Sequence, residues 1–209
     1  TLARLIKKFP SVIGLLERIR DEGNDTLIGG AQGLLIDILK FDFVFNLHLL
    51  KTILAITNEL SKALQRKDQD IINAMNLVEV TKKRLQEMRE VGFDHFLDEV
   101  KSFCEKYDID VRNMAYSFES RPKRRGSDIA NEHRYKYGLF NAVLDFQLQE
   151  LNERFTVTTT ELFVCVTCLN LVDSFSAFDK QKLIRLASFY PNDFSDLDRI
   201  YLEDQLDTY

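Results

Sequence analysis

The sequence predicts an all-α protein, and three observations predict it. Apolar residues recur at helical spacing over 2–19, 68–88 and 129–151. Only 8 of the 209 residues are Gly and 3 are Pro. Hydrophobic residues make up 45% and charged residues 29%, the balance of a folded, helix-rich chain and not of a disordered one.

Leu2, Leu5, Ile6, Phe9, Ile13, Leu16 and Ile19 form the first stripe, with Pro10 in its middle and Gly23 as its stop, so one helix or two short ones are expected. Residues 24–33 hold three glycines and read as a loop. Residues 34–64 then read as two helices hinged near Phe41, with Asp42 as an N-cap. Apolar positions from Phe43 to Leu64 cover so much of the circumference that this helix is expected to be packed on several sides and to form the core. The clearest helix is 68–91, carried by Ile71, Ile72, Met75, Val78, Leu85 and Met88 and ended by Gly92.

A shorter helix over 93–107 places Phe96, Leu97, Val100, Phe103 and Cys104 on one side. Periodicity is lost over 108–127, which reads as an exposed, basic loop. A second long helix over 129–155 has Tyr135, Leu139, Phe140, Val143, Phe146, Leu148 and Leu151 as its apolar positions. Residues 161–169 suit a strand by propensity, but a buried helix fits the surroundings better. A short helix over 178–190 ends at Pro191, and 191–209 holds the start of an acidic helix.

Charge narrows the function classes. The chain has 28 Lys and Arg against 33 Asp and Glu, a net charge of −5. From Pro191 onward Asp193, Asp196, Asp198, Glu203, Asp204 and Asp207 face Arg199 alone, so the remainder of the chain is neutral. Contact with nucleic acid must therefore come from a local patch, and Arg121, Lys123, Arg124 and Arg125 are the candidate residues, able to neutralise several phosphates. The aromatic residues fall on helical apolar faces and read as core before they read as base-stacking platforms. The most apolar run, 34–50, is broken by Asp37, Lys40 and Asp42 and is no membrane span.

Catalytic and metal motifs are not apparent. Cys165 and Cys168 form a C-x-x-C pair, but Cys104 stands apart, the three histidines are scattered and the flanks are apolar, so the pair reads as buried packing and no metal or cofactor is expected. His48 lies among leucines and reads as a core or interface histidine, whereas His133, between Glu132 and Arg134, reads as exposed. Gly29, Gly30 and Gly33 lack the lysine and the preceding strand of a phosphate loop. An odd number of cysteines without a secretory signal points to a reducing, intracellular compartment. Thr1 opens directly into an amphipathic pattern, and the chain reads as a fragment.

Three long strings carry a resemblance: Thr57-Asn58-Glu59-Leu60-Ser61-Lys62-Ala63-Leu64-Gln65-Arg66-Lys67-Asp68 running on to Met75, Asp145-Phe146-Gln147-Leu148-Gln149-Glu150-Leu151 running on to Phe155, and Asp173-Ser174-Phe175-Ser176-Ala177-Phe178 running on to Phe194. On these the chain resembles the hAT superfamily of DNA transposases, in particular the plant transposase-derived proteins of the zinc finger MYM-type protein 1-like or TTF-type group with a hAT dimerisation region. The resemblance extends over nearly the whole chain. It implies that residues 1–209 belong to the helical insertion that interrupts an RNase H-like domain, with the family's catalytic acids outside this chain. It further implies a non-enzymatic, nuclear, transposon-derived segment that supports a catalytic core and contacts DNA, with a homo-oligomer as the full-length assembly. The alternative is an exapted interaction or dimerisation module without DNA binding. The chain departs from its relatives at Asn170-Leu171, where a proline is usual, and at Phe93, where a tryptophan is common.

Overall fold

The computed structural model describes residues 2–65, 71–116, 130–169 and 178–208, and among them the regular structure is helical, with no strand. The helices group into two compact units: Thr1–Glu59 with Lys83–Leu148, and Leu60–Lys82 with Gln149–Tyr209.

The first unit begins with α1 (Leu2–Lys7) and α2 (Phe9–Glu22). Pro10 sits in the first turn of α2, where a missing N–H leaves no hydrogen bond unmade. Gly23 closes α2, and a Cβ there would collide with the Ile19 carbonyl oxygen. The expected loop over 24–33 is a helix instead: α3 (Asp25–Ile38) starts where the Asn24 side chain accepts a hydrogen bond from the Leu27 N–H at 3.1 Å. The cap and packing against α2 outweigh the poor helix propensity of Gly29, Gly30 and Gly33.

Residues 39 and 40 separate α3 from α4 (Phe41–Leu64), close to the expected hinge. Asp42 is not the N-cap, for it lies inside the first turn of α4. The residues buried on the N-terminal part of α4 include Phe41, Val44, Phe45, Leu47, His48 and Leu49, which wrap the helix, whereas Leu50 and Leu54 are exposed. Packing on several sides therefore holds for the first turns only. α5 (Ile71–Val91) ends at Gly92, as expected; the expected start at Asp68 lies outside the described residues. α6 (Phe93–Lys106) buries Phe93, Phe96, Leu97, Val100 and Cys104 on one face.

The exit from α6 is a Schellman arrangement. Asp108 takes a left-handed conformation with φ 54°, the Ile109 N–H donates to the Cys104 carbonyl at 2.9 Å, and the Asp108 N–H donates to the Glu105 carbonyl. The motif folds Ile109 back into the core, so the expectation of an exposed stretch from 108 onward fails at that residue. Residues 110–116 continue without helix.

The expected helix over 129–155 is interrupted by an unforeseen element. α7 (Asn131–His133) passes into a π-helical segment (Arg134–Asn141) and then into α8 (Ala142–Arg154). In the π geometry residues five apart share a face, and Tyr135 and Phe140 are both fully buried, followed four residues later by Leu144. The shift in register turns Phe146, expected on the apolar face, out to 58% exposure.

Rings dominate the core of this unit. Tyr135 meets Phe41 and Phe45 at centroid distances of 5.2 and 4.9 Å, Phe45 meets Phe96 edge-on at 5.1 Å, and Phe140 meets Phe93 and Phe96 at 5.4 and 5.2 Å. Edge and tilted contacts of this kind add to the burial of the rings themselves. A bidentate Arg89–Asp145 pair joins α5 to α8.

The second unit has a smaller core of Leu60, Ala74, Met75 and Val78, with Leu77, Leu151 and Phe155 packed against it. The Lys82 ammonium donates to the Phe155 carbonyl at 3.1 Å, satisfying one of the carbonyls that the end of α8 leaves open. α9 (Val157–Val166) is a helix, as preferred over a strand, but not the expected buried one, for Cys165 is its one buried residue while Phe163 and Val166 are exposed; it runs into a 3₁₀ turn (Thr167–Leu169). α10 (Lys180–Ser188) is capped by Asp179, which accepts from the Gln181 and Lys182 N–H groups at 3.0 and 3.2 Å. α11 (Asp196–Thr208) is the expected acidic helix; Ser195 and Asp198 cap it reciprocally, and it has no buried residue.

Candidate functional site

The sequence-derived candidates Arg121, Lys123, Arg124 and Arg125 lie outside the described residues, but both ends of their segment are described. The Asn131 N–H donates to the Tyr116 carbonyl at 2.9 Å, the Glu132 N–H donates to the Met114 carbonyl at 3.0 Å, and the buried Asn131 side chain donates to the Asn113 carbonyl at 2.8 Å. The chain thus leaves at Tyr116 and returns at Ala130 through a hydrogen-bonded clamp.

Beside this clamp stands a polar cluster that the sequence does not reveal. The Tyr135 hydroxyl donates to Asp42 Oδ1 at 2.7 Å. Arg112 lies 3.7 Å from Asp42 Oδ2 and Arg134 lies 3.8 Å from Oδ1. Burial pushes the Tyr135 phenol well above its ordinary range, and the hydrogen bond to the Asp42 carboxylate adds to that, so the phenol stays protonated and donates. A cavity of about 310 Å³ lined by Leu39, Lys40, Phe41, Asp110, Val111 and Arg112 adjoins the cluster. Asp42 and Tyr135 are 93 residues apart, and the phenol comes from the π segment.

The phenol is held neutral, and the carboxylate that accepts its hydrogen bond also lies near two guanidinium groups. What the cluster fixes is the geometry of the clamp: Arg112 comes from the outgoing strand of chain, Arg134 from the returning one, and Asp42 holds both.

The thiols lie elsewhere. Cys104, Cys165 and Cys168 are free and buried. Burial pushes the Cys104 thiol up to about 11 and also raises those of Cys165 and Cys168, disfavouring the reactive thiolate. The Cys168 thiol donates to the Cys165 carbonyl at 2.8 Å, as an ordinary packed pair does. Among the described residues no group of three or more His, Cys, Asp or Glu has the arrangement of a metal site.

His48, expected in the core, is buried, and His133, expected outside, is exposed. His95 is exposed and lies 3.7 Å from Glu99. No helix among the described residues is long and apolar enough to cross a membrane. No protein-family model and no solved structure matches the chain.

Proposed function

We propose that the chain is a non-catalytic helical region of a hAT transposase-like nuclear protein, one that supports a catalytic core and contacts DNA through Arg121, Lys123, Arg124 and Arg125. The observation that carries the DNA contact is the clamp. Its hydrogen bonds tie the described ends of the segment that holds these four cations in the sequence, and Arg112 and Arg134 lie beside Asp42. The helical character of the described residues agrees with the insertion that the three family-like strings imply. On this reading the catalytic acids come from other parts of the protein, and a homo-oligomer is the full-length assembly.

Binding to duplex DNA is expected to be weak, indifferent to sequence and steeply lost with salt, because phosphate contacts supply it. Replacing Arg121, Lys123, Arg124 and Arg125 together by Ala is expected to abolish most of it and to flatten the log–log salt slope by about 0.9 for each phosphate that is no longer neutralised. Fluorescence anisotropy over a salt series measures both, and parental binding by the quadruple variant at low salt would overturn the reading.

A second reading, an exapted interaction module without DNA binding, is favoured by one observation. Leu27, Leu34 and Ile36 on α3 are exposed at 56, 54 and 55%, and a Cβ at Gly29, Gly30 or Gly33 would meet open space. Concentration-dependent association that Leu34→Glu removes would support this reading over the first.

A further inference from the structure

His48 is 6% exposed, and neither Nδ1 nor Nε2 has a hydrogen-bond partner. A buried imidazole without a partner is uncommon, because burying a polar group is repaid only by a hydrogen bond. Its surroundings explain what holds it. The ring meets Phe103 edge-on at 4.8 Å, and Phe103 meets Phe9 at 5.1 Å and Tyr107 at 4.7 Å. Phe9 is the one buried residue of α2, and α1 has none, so this line of rings from α4 through α6 holds the one buried side chain of α2.

We propose that His48 is a pH-sensitive latch: neutral, it completes the ring stack that docks α2; protonated, it releases α2 while the rest of the first unit stays folded. The charged groups facing it are Lys51 on its own helix and, from α6, His95, Asp98, Glu99 and Lys106, which line a cleft of about 540 Å³ with Ser102 and Phe103. Burial first, and Lys51 second, disfavour the charged ring, while Glu99 opposes them; the outcome is a pKa below the ordinary value of 6.5. The sign follows. With the docked pKa depressed, the docked arrangement keeps its full stability above pH 6.5 and loses it as the pH falls from there through the docked pKa, because the open state binds the proton more tightly. Of the helices tied to this line of rings, α2 is the least anchored, with Phe9 its one buried residue. Together α1, α2 and α3 bury only Phe9, Ala31 and Leu35 among their described residues, against five on α6 alone.

The test is hydrogen–deuterium exchange of the whole chain between pH 7.5 and 5, each rate divided by its intrinsic value at that pH. Protection of the α2 amides is expected to fall below pH 6.5, by at most about tenfold per pH unit, the limit for one proton, with α6 unchanged. His48→Phe keeps a ring and removes the titration, so its α2 protection is expected to be independent of pH; His48→Leu serves the same purpose if the larger ring fails to fold. His95→Gln is expected to respond as the parent does. The proposal is overturned by α2 protection that ignores pH, by a response that survives in the His48 variants, by its loss in His95→Gln, or by an equal fall across α6.

Discussion

In the first unit the buried side chains include the rings of Phe9, Phe41, Phe45, Phe93, Phe96, Tyr135 and Phe140 beside aliphatic ones such as Val44, Leu49, Leu85 and Val100, whereas in the second they are non-aromatic among the described residues and include Leu60, Ala74, Met75, Val78, Cys165 and Cys168. The second unit has aromatic residues too, yet Phe163, Phe178, Tyr190, Phe194 and Tyr201 are exposed. Its later helices are joined by surface ion pairs: Arg185 to Glu161 at 2.6 Å between α9 and α10, and Lys180 to Asp207 at 2.5 Å between α10 and α11. Exposed pairs of that kind contribute little, while each buried ring removes a large apolar area from water. Sequence hydrophobicity alone therefore does not locate stability: what counts is whether the rings face one another.

Substitutions break that comparison in graded steps. The largest effect is expected from Phe45→Ala, which removes a fully buried ring touching Phe41, Phe96 and Tyr135. Urea titration is expected to show a loss of about 3–5 kcal/mol. Tyr135→Phe keeps the ring and deletes the hydrogen bond to Asp42, so a loss of about 1.5–3 kcal/mol is expected, the range for a bond to a charged acceptor. Equal destabilisation by the two variants would mean that the Asp42 cluster, and not the ring packing, holds the first unit together.

Gly33→Ala tests the exposed face of α3 in the opposite direction. A Cβ there meets nothing within 4 Å, so a gain of about 1 kcal/mol or less in thermal unfolding is expected from helix propensity. The smallest effect belongs to Arg185→Ala, which removes an exposed bidentate pair and is expected to change stability by less than about 1 kcal/mol. A larger loss would show that ion pairs, rather than its small core, hold the second unit.

The helical class is legible because the stripes of Leu2 to Ile19 and Phe93 to Cys104 follow the helical period, and the stops at Gly23 and Gly92 are equally plain. α3 reads as a loop only when glycine content is weighed above the Asn24 cap, a local signal that is present in the sequence. The π segment is not legible. It arises where Tyr135 and Phe140 both seek the same aromatic core, and that demand comes from Phe41, Phe45, Phe93 and Phe96, far away in the chain. The Asp42 cluster and the clamp depend on that segment and are hidden with it. Of the candidate site, the basic run is plain in the sequence, and the groups that tie its ends are not.

Native-state hydrogen exchange of the whole chain in increasing urea tests the contrast between the two units most directly, since it reads the free energy and the exposed surface of each opening separately. Amides of α6 and of the first turns of α4 are expected to exchange only through large, strongly urea-dependent openings. Those of α10 and α11 are expected to exchange through small openings at much lower free energy. Protection of α10 and α11 equal to that of α6 would contradict the account, because a core of small side chains and surface ion pairs would then be matching a core of packed rings.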